Sequence, residues 1–258
     1  MGGMAPSMRL QGKAAFITGG ESGIGLASAR LFVAEGARVH LAGLTQDRLE
    51  AAVAELGPEV ASWSVTDVTE EDQVVAALEQ ATGRFGRLDV LFSNAGISGD
   101  IAPITEYPTD VFRRVLDVHV LGAFFVLKHG LPYLTEGGSV IINSSVVGLT
   151  SDAGICAYAT AKHAQVGLMR TAAKEAASRG IRVNTLHPGP TDTEFQRAIE
   201  VSATGAPPDV AARVFEALIP MSRHACPEEI ARSVLYLGSS DSSFVTGSTL
   251  AVDGGMHI

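Results

Sequence analysis

A phenol and an ammonium stand four residues apart in Tyr158-Ala159-Thr160-Ala161-Lys162. That spacing puts both side chains on one face of a helix. A tyrosine in isolation titrates at about pH 10, so a neighbouring cation is needed to favour phenolate and bring it toward a general acid/base role. Upstream, Ile142-Asn143-Ser144-Ser145 ends an apolar run, where a short hydroxyl could hydrogen-bond a substrate oxygen. Either serine also has a plain structural reading as a strand-end cap.

These groups need a frame. Short apolar runs alternate with amphipathic segments of helical length along the whole chain, the pattern of βαβ units around a parallel sheet. The strands are expected at 14–18, 38–42, 61–64, 90–93, 139–143, 182–187 and 249–252, and the helices at 24–35, 46–56, 71–82, 110–134, 155–178 and 227–237. Pro227 followed by Glu228 and Glu229 marks a helix start. With no repeat or linker, the expected fold class is α/β: a single doubly wound, Rossmann-like domain with a seven-stranded, mostly parallel sheet flanked by helices. One irregular insertion, 191–220, contains Gly205, Pro207 and Pro208 and is placed where a substrate lid would sit.

The first strand runs into Thr18-Gly19-Gly20-Glu21-Ser22-Gly23-Ile24-Gly25 and then a helix. Glycines there let the chain turn sharply and bring backbone N–H groups and a helix N-terminus against a diphosphate. A glycine pattern alone is a weak signal; between a strand and a helix it is a moderate one.

Bulk properties narrow the function classes. The chain has 258 residues, is 46% hydrophobic and 18% charged, and carries a formal charge of -9, which suits a buried core and disfavours a nucleic-acid partner. Cys156 and Cys226 lack C-x-x-C spacing and fit reduced thiols better than a disulfide or metal framework. The opening MGGMAPSMRLQGK has no apolar core of signal-peptide length, and no later stretch reaches about 18 uninterrupted apolar residues. The expectation is a cytoplasmic protein with no membrane partner, a flexible leader over 1–9 and one domain over 10–258.

The loop spacing T-G-x-x-x-G-x-G resembles the nucleotide loop of the short-chain dehydrogenase/reductase family, and the likeness extends over nearly the whole chain. Asp67-Val68 resembles the family's adenine-contacting pair, and Asn94-Ala95-Gly96 its N-A-G element. Asp67 also reads as a helix cap, and Asn94 and Gly96 as a strand-end turn. Tyr158 and Lys162 match the family's catalytic pair, and spacing to Tyr158 favours Ser145 over Ser144 as its serine. The resemblance implies that Tyr158 exchanges a proton with an alcohol or carbonyl oxygen, that Ser145 steadies this oxygen, and that Lys162 holds the nicotinamide ribose while lowering the tyrosine pKa. The family's fourth member, an asparagine in D-V-N-x-x-G-x-F, is replaced by His119 in Asp117-Val118-His119. An imidazole could serve the asparagine's water relay and add a group titrating near neutrality, or simply bond to backbone. His187-Pro188-Gly189-Pro190-Thr191-Asp192-Thr193 resembles the family's P-G-x-x-x-T segment at the nicotinamide carboxamide; otherwise Pro188 and Gly189 form a turn and Thr193 caps a helix.

The cofactor implied is NAD or NADP. At the end of the second strand the chain reads Ala42-Gly43-Leu44, with neither an acid for a ribose diol nor an arginine for a 2′-phosphate. Glu21 would repel a 2′-phosphate, which favours NAD, unless Arg48 or His40 folds inward. The gly-loop contacts Gly19, Glu21, Ser22, Gly23, Ile24 and Gly25, with Leu44, are the expected cofactor residues on this side. The substrate expected is a secondary alcohol or ketone on a partly apolar molecule, walled by Phe195, Ile199, Val201 and Leu218. The resemblance further implies a homotetramer. Two rivals are a dinucleotide-binding regulator without redox chemistry, and a family member performing epimerisation or dehydration.

Overall fold

The computed structural model describes residues 8–258. Seven strands, β1 (Ala14–Thr18), β2 (Arg38–Gly43), β3 (Ala61–Val65), β4 (Leu88–Ser93), β5 (Leu134–Asn143), β6 (Arg182–Pro188) and β7 (Thr249–Val252), form one sheet in the order β3-β2-β1-β4-β5-β6-β7. Every neighbouring pair is parallel. The sheet is therefore parallel throughout rather than mostly so.

Helices cover both faces, which is why β1 and β4 are buried along their whole length. Helices α1 (Gly23–Ala34), α2 (Gln46–Leu56), α3 (Glu71–Phe85), α4 (Thr109–Leu116), α5 (Gly122–Gly130), α6 (Cys156–Ala176), α7 (Glu194–Thr204), α8 (Pro208–Glu216) and α9 (Pro227–Gly238) follow in chain order. Strand side chains alternate between two cores. Ile17, Leu41, Phe92 and Ile141 pack with Phe32 of α1, Leu49 of α2 and Ile230 of α9. Phe16, Leu91, Val140 and Ile142 pack with Leu78 of α3, Val126 of α5 and Met169 of α6. Strand order reverses between β1 and β4, and a parallel sheet opens a crevice at the strand C-termini at such a point.

Three expectations are corrected. The helix expected over 110–134 is continuous to Tyr133 but changes type: α4 passes through a π-helical turn at Asp117–Leu121 into α5, a 3-10 turn at Leu131–Tyr133 follows, and Leu134 already pairs with Leu88 in the sheet. Gly130 and Pro132 explain the stop, because proline offers no N–H to continue the helix. The insertion over 191–220 is not irregular, since it carries α7 and α8. Positions 1–7 of the expected leader lie outside the described residues, and Arg9 at its end is anchored: its backbone N–H donates to Glu35 at 2.9 Å and its guanidinium at 2.7 Å.

The continuous helical run Thr109–Tyr133 is 25 residues long with mean hydropathy 1.3, long and apolar enough to cross a membrane by those measures. Within the fold 44% of that window is buried, with Val115, Val126 and Leu127 facing inward.

Candidate active site

The loop after β1 is built from residues that tolerate very close approach. Gly19 and Gly23 have φ of 61° and 50°, in the left-handed region that favours glycine. A Cβ on Gly25 would lie 2.1 Å from the Gly19 carbonyl oxygen, so Gly25 sets the tightness of the turn. Ser22 is the N-cap of α1 and makes no side-chain cap bond, which leaves the first N–H groups of the helix pointing into the cleft.

Thr18 closes this loop against β4. Its hydroxyl accepts the backbone N–H of Asn94 at 2.9 Å and of Ala95 at 3.0 Å. The Asn94 amide donates back to the carbonyls of Thr18 at 3.0 Å and Gly19 at 3.1 Å. Asn94 is thus more than a strand-end turn: it locks two strand ends together. Thr18 was legible only as the first letter of the loop motif.

Opposite the loop, α6 presents Tyr158 and Lys162 one turn apart, with the ammonium 5.3 Å from the phenol ring centre. The Lys162 Nζ donates to the Asn143 carbonyl at 2.7 Å. The Asn143 amide in turn donates to the Asn94 side chain at 2.9 Å, so the lysine, β5 and β4 are chained together. Asn143 was passed over in the sequence because only its backbone oxygen acts on the lysine. The two serines separate by their partners. Both border the cleft, but Ser144 is buried and its hydroxyl donates to the Lys162 carbonyl at 3.0 Å, while the Ser145 hydroxyl meets the Tyr158 phenol and accepts the Val147 N–H at 3.4 Å. His187 on β6 fixes the Ser145 backbone, its Nδ1 lying 2.7 Å from the Ser145 carbonyl and its Nε2 2.8 Å from the Thr185 hydroxyl. Burial pushes His187 down to about 4, so it is neutral and donates from Nδ1 to that carbonyl.

Electrostatics run against one expectation. Burial pushes the Tyr158 phenol up to about 12, with the Ser145 hydroxyl opposing, and pushes the Lys162 ammonium down to about 7. The net direction for the phenol is upward, because a buried charge is disfavoured for either group. The chain's own groups hold the proton on Tyr158 at neutral pH.

His119 lies edge-on to Tyr158, ring centres 5.3 Å apart at 85°. Its Nε2 is 2.7 Å from the Ile97 carbonyl and 3.1 Å from the Ile97 N–H, and its own carbonyl accepts the Gln165 amide at 2.9 Å. Among the described residues no hydrogen bond joins the imidazole to Lys162, and Nδ1 is buried without a partner. Burial, then the nearby Lys162, hold it well below the ordinary histidine value despite the Ile97 bond. The expected group titrating near neutrality is therefore absent: the imidazole is neutral and bound to backbone.

A cleft of about 1040 Å³ gathers these elements. It is lined by Gly19, Glu21, Ser22, Gly23, Ile24, Leu44, Asp67, Val68, Asn94, Ala95, Gly96, His119, Ser145, Tyr158, Lys162, Pro188, Gly189, Thr191 and Thr193. Gly25 does not line it. Asp67 folds back on Thr69, accepting its N–H at 2.9 Å and its hydroxyl at 2.7 Å, and does not cap α3. A Cβ on Gly189 would come within 2.8 Å of the Asp253 backbone. Thr193 does cap α7, accepting the Gln196 N–H at 3.2 Å. From α7, Phe195 brings its ring 6.5 Å from that of Tyr158. Of the two groups that could have overturned the preference for NAD by folding inward, His40 lies inside the sheet between Ser62 and Ser64, both at 2.9 Å, and Arg48 pairs with Glu194 at 2.9 Å.

The strand-end loop, the uncapped helix start and the close glycines fit a dinucleotide diphosphate, and comparison with known proteins agrees. A family model described as enoyl-(acyl carrier protein) reductase matches residues 19–257. Momilactone A synthase of Oryza sativa subsp. japonica is 41% identical over 264 residues, covering 98% of this chain and 93% of that protein. The crystal structure of levodione reductase superposes with TM-score 0.93 at 36% identity, covering 96% of this chain and 99% of that one. NAD+-bound xylitol dehydrogenase superposes with TM-score 0.90 at 36% identity, covering 96% and 100%. The chain belongs to the short-chain dehydrogenase/reductase family and is an NAD(P)-dependent oxidoreductase acting on alcohol and ketone groups.

Proposed function

We propose that Tyr158 is the general acid/base of a hydride transfer between NAD and a secondary alcohol or ketone, with Ser145 and Lys162 as its partners. The observation that carries this is the direction of the two adjacent hydroxyls: that of Ser144 is turned to the Lys162 carbonyl, and that of Ser145 is set against the Tyr158 phenol. When bound, the nicotinamide supplies or takes the hydride. Ser145 donates a hydrogen bond to the carbonyl oxygen and orients it. Tyr158, protonated at neutral pH, delivers its proton to that oxygen during reduction; in the oxidative direction it must first lose its own proton to solvent and accepts the alcohol proton as the phenolate. Lys162, held by the Asn143 carbonyl, lies beside the phenol where a ribose hydroxyl would reach it. His119 acts as a positioning residue, fixing the backbone after Asn94-Ala95-Gly96 through Ile97.

The chain would hold the dinucleotide through the loop Gly19 to Ile24, with Asp67 and Val68 at the adenine, Asn94 to Gly96 along the middle, and Pro188 to Thr193 at the nicotinamide. NAD is the preferred cofactor, because His40 is enclosed in the sheet and Arg48, on the cleft rim, is paired with Glu194. The segment 191–220 serves as a lid whose α7 brings Phe195 and Ile199 to the cleft, which suits a partly apolar substrate. A cytoplasmic homotetramer is the working form, supported by two reduced cysteines and by exposed Leu121 and Phe124 on the long helix.

Tyr158→Phe is expected to lower kcat by ~10³-fold or more while leaving NADH affinity within a few-fold. Steady-state kinetics and a nicotinamide fluorescence titration check both halves. Full activity in this variant would remove the phenol from the mechanism.

A further inference from the structure

Glu21 belongs to the loop between β1 and α1, yet its carboxylate reaches across to the end of β2. Oε1 accepts the Leu44 backbone N–H at 3.0 Å. The group lies so close over Gly43 that a Cβ there would be 2.1 Å from Oε2, 2.4 Å from Cδ and 2.5 Å from Oε1. Residue 43 can carry no side chain while Glu21 is in place. Oε2 is enclosed and, among the described residues, has no hydrogen-bond partner. A carboxylate oxygen withdrawn from water without a donor is costly, and a small turn of this cleft-lining side chain toward an arriving hydroxyl relieves the cost.

In folds of this kind the end of the second strand is where an acid takes the adenosine ribose diol. Resting on the reading of the cleft as a dinucleotide site, we infer that Glu21 supplies this acid from the phosphate loop, and that position 43 is glycine to admit it. The carboxylate then accepts from a ribose hydroxyl and repels a 2′-phosphate from the same place. The arginines on this rim are each set against another acid: Arg30 bonds Glu55 at 2.6 Å, Arg48 pairs with Glu194 at 2.9 Å, and Arg114 stands 3.7 Å from Asp67. A 2′-phosphate would meet one anion and would have to take its cation from another.

The test is equilibrium titration of NADH and NADPH, read by nicotinamide fluorescence, with apo melting temperatures to show that each variant folds. Glu21→Gln keeps an acceptor for the Leu44 N–H and loses the charge. It is expected to weaken NADH by about tenfold or more and to tighten NADPH. Glu21→Ala/Gly43→Asp moves the acid back to the strand, now with room for it, and is expected to recover most of the NADH affinity that Glu21→Ala loses. If Glu21→Gln and Glu21→Ala leave both affinities unchanged, the carboxylate only props Leu44 and the inference fails while the dinucleotide reading stands. Wild-type protein that prefers NADPH also overturns it. Wild-type protein that binds neither overturns the reading of the cleft itself.

Discussion

At the scale of single residues, the site holds two groups in the protonation states that burial prefers. Lys162 is 3% exposed, and burial lowers it to about 7. An unfolded lysine keeps its proton up to about pH 10.4, so between these values the unfolded chain binds more protons and stability rises with pH. Charging the buried amine below pH 7 is a standing cost to the fold, offset in part by its bond to the Asn143 carbonyl. Lys162→Met is therefore expected to stabilise the protein by ~2–4 kcal/mol at about pH 6, with the gain vanishing toward about pH 10, while turnover is lost. Urea denaturation at the two pH values measures this; a variant less stable than its parent at both would refute it. His119 follows the same logic in neutral form.

At the scale of elements, α7 and α8 are held over the cleft by one histidine in the loop after them. His224 Nε2 lies 2.6 Å from Glu200 Oε1 of α7, and Nδ1 lies 3.3 Å from Glu216 Oε1 at the end of α8. The Gln196 amide donates to the same Glu200 oxygen at 2.9 Å. Burial opposes the imidazolium, but the two carboxylates outweigh it and raise the His224 pKa. A raised pKa contributes stability that is complete below the ordinary histidine value and is lost as pH climbs through the raised one. Hydrogen exchange over 194–216 is expected to speed up across that alkaline side beyond its intrinsic pH dependence, and His224→Ala should remove the excess. Equal protection in both proteins at every pH would sink the clasp. The sequence signals in this stretch were real but misread: Gly205, at φ 64°, ends α7 and Pro207 and Pro208 begin α8, so they punctuate two helices.

At the scale of the whole molecule, the strand ends opposite the cleft are pinned on one buried acid. Asp89 accepts the Ala14 N–H at 3.0 Å, the Thr135 hydroxyl at 2.9 Å, and the Lys13 ammonium at 3.2 Å, and Arg87 bonds both its oxygens. This joins the starts of β1, β4 and β5. Burial opposes the carboxylate charge, but these bonds outweigh it and lower its pKa. The stability it adds is present above the unfolded value and disappears as pH falls through the lowered one. Asp89→Asn is expected to lose ~2 kcal/mol near neutral pH, less in acid, with NADH binding unaffected. Denaturant midpoints across the acid range follow the first effect, and a constant difference down to about pH 2 would argue against it.

The order of the strands, the helices outside 191–220, the glycine loop and the shared face of Tyr158 and Lys162 were determined by sequence alone, because apolar period, turn chemistry and i,i+4 spacing act over a few residues. Tertiary structure decided what depends on partners far along the chain. It turned the Ser144 hydroxyl to the Lys162 carbonyl and the Ser145 hydroxyl to Tyr158. It ended α5 at Gly130 and the helical run at Tyr133, next to Leu134, which has a strand partner in Leu88. It carried Glu21 to the end of β2 and made His119 neutral by burial. Hydrogen-bond partners and desolvation are set by which surfaces meet, and only the folded chain brings those surfaces together.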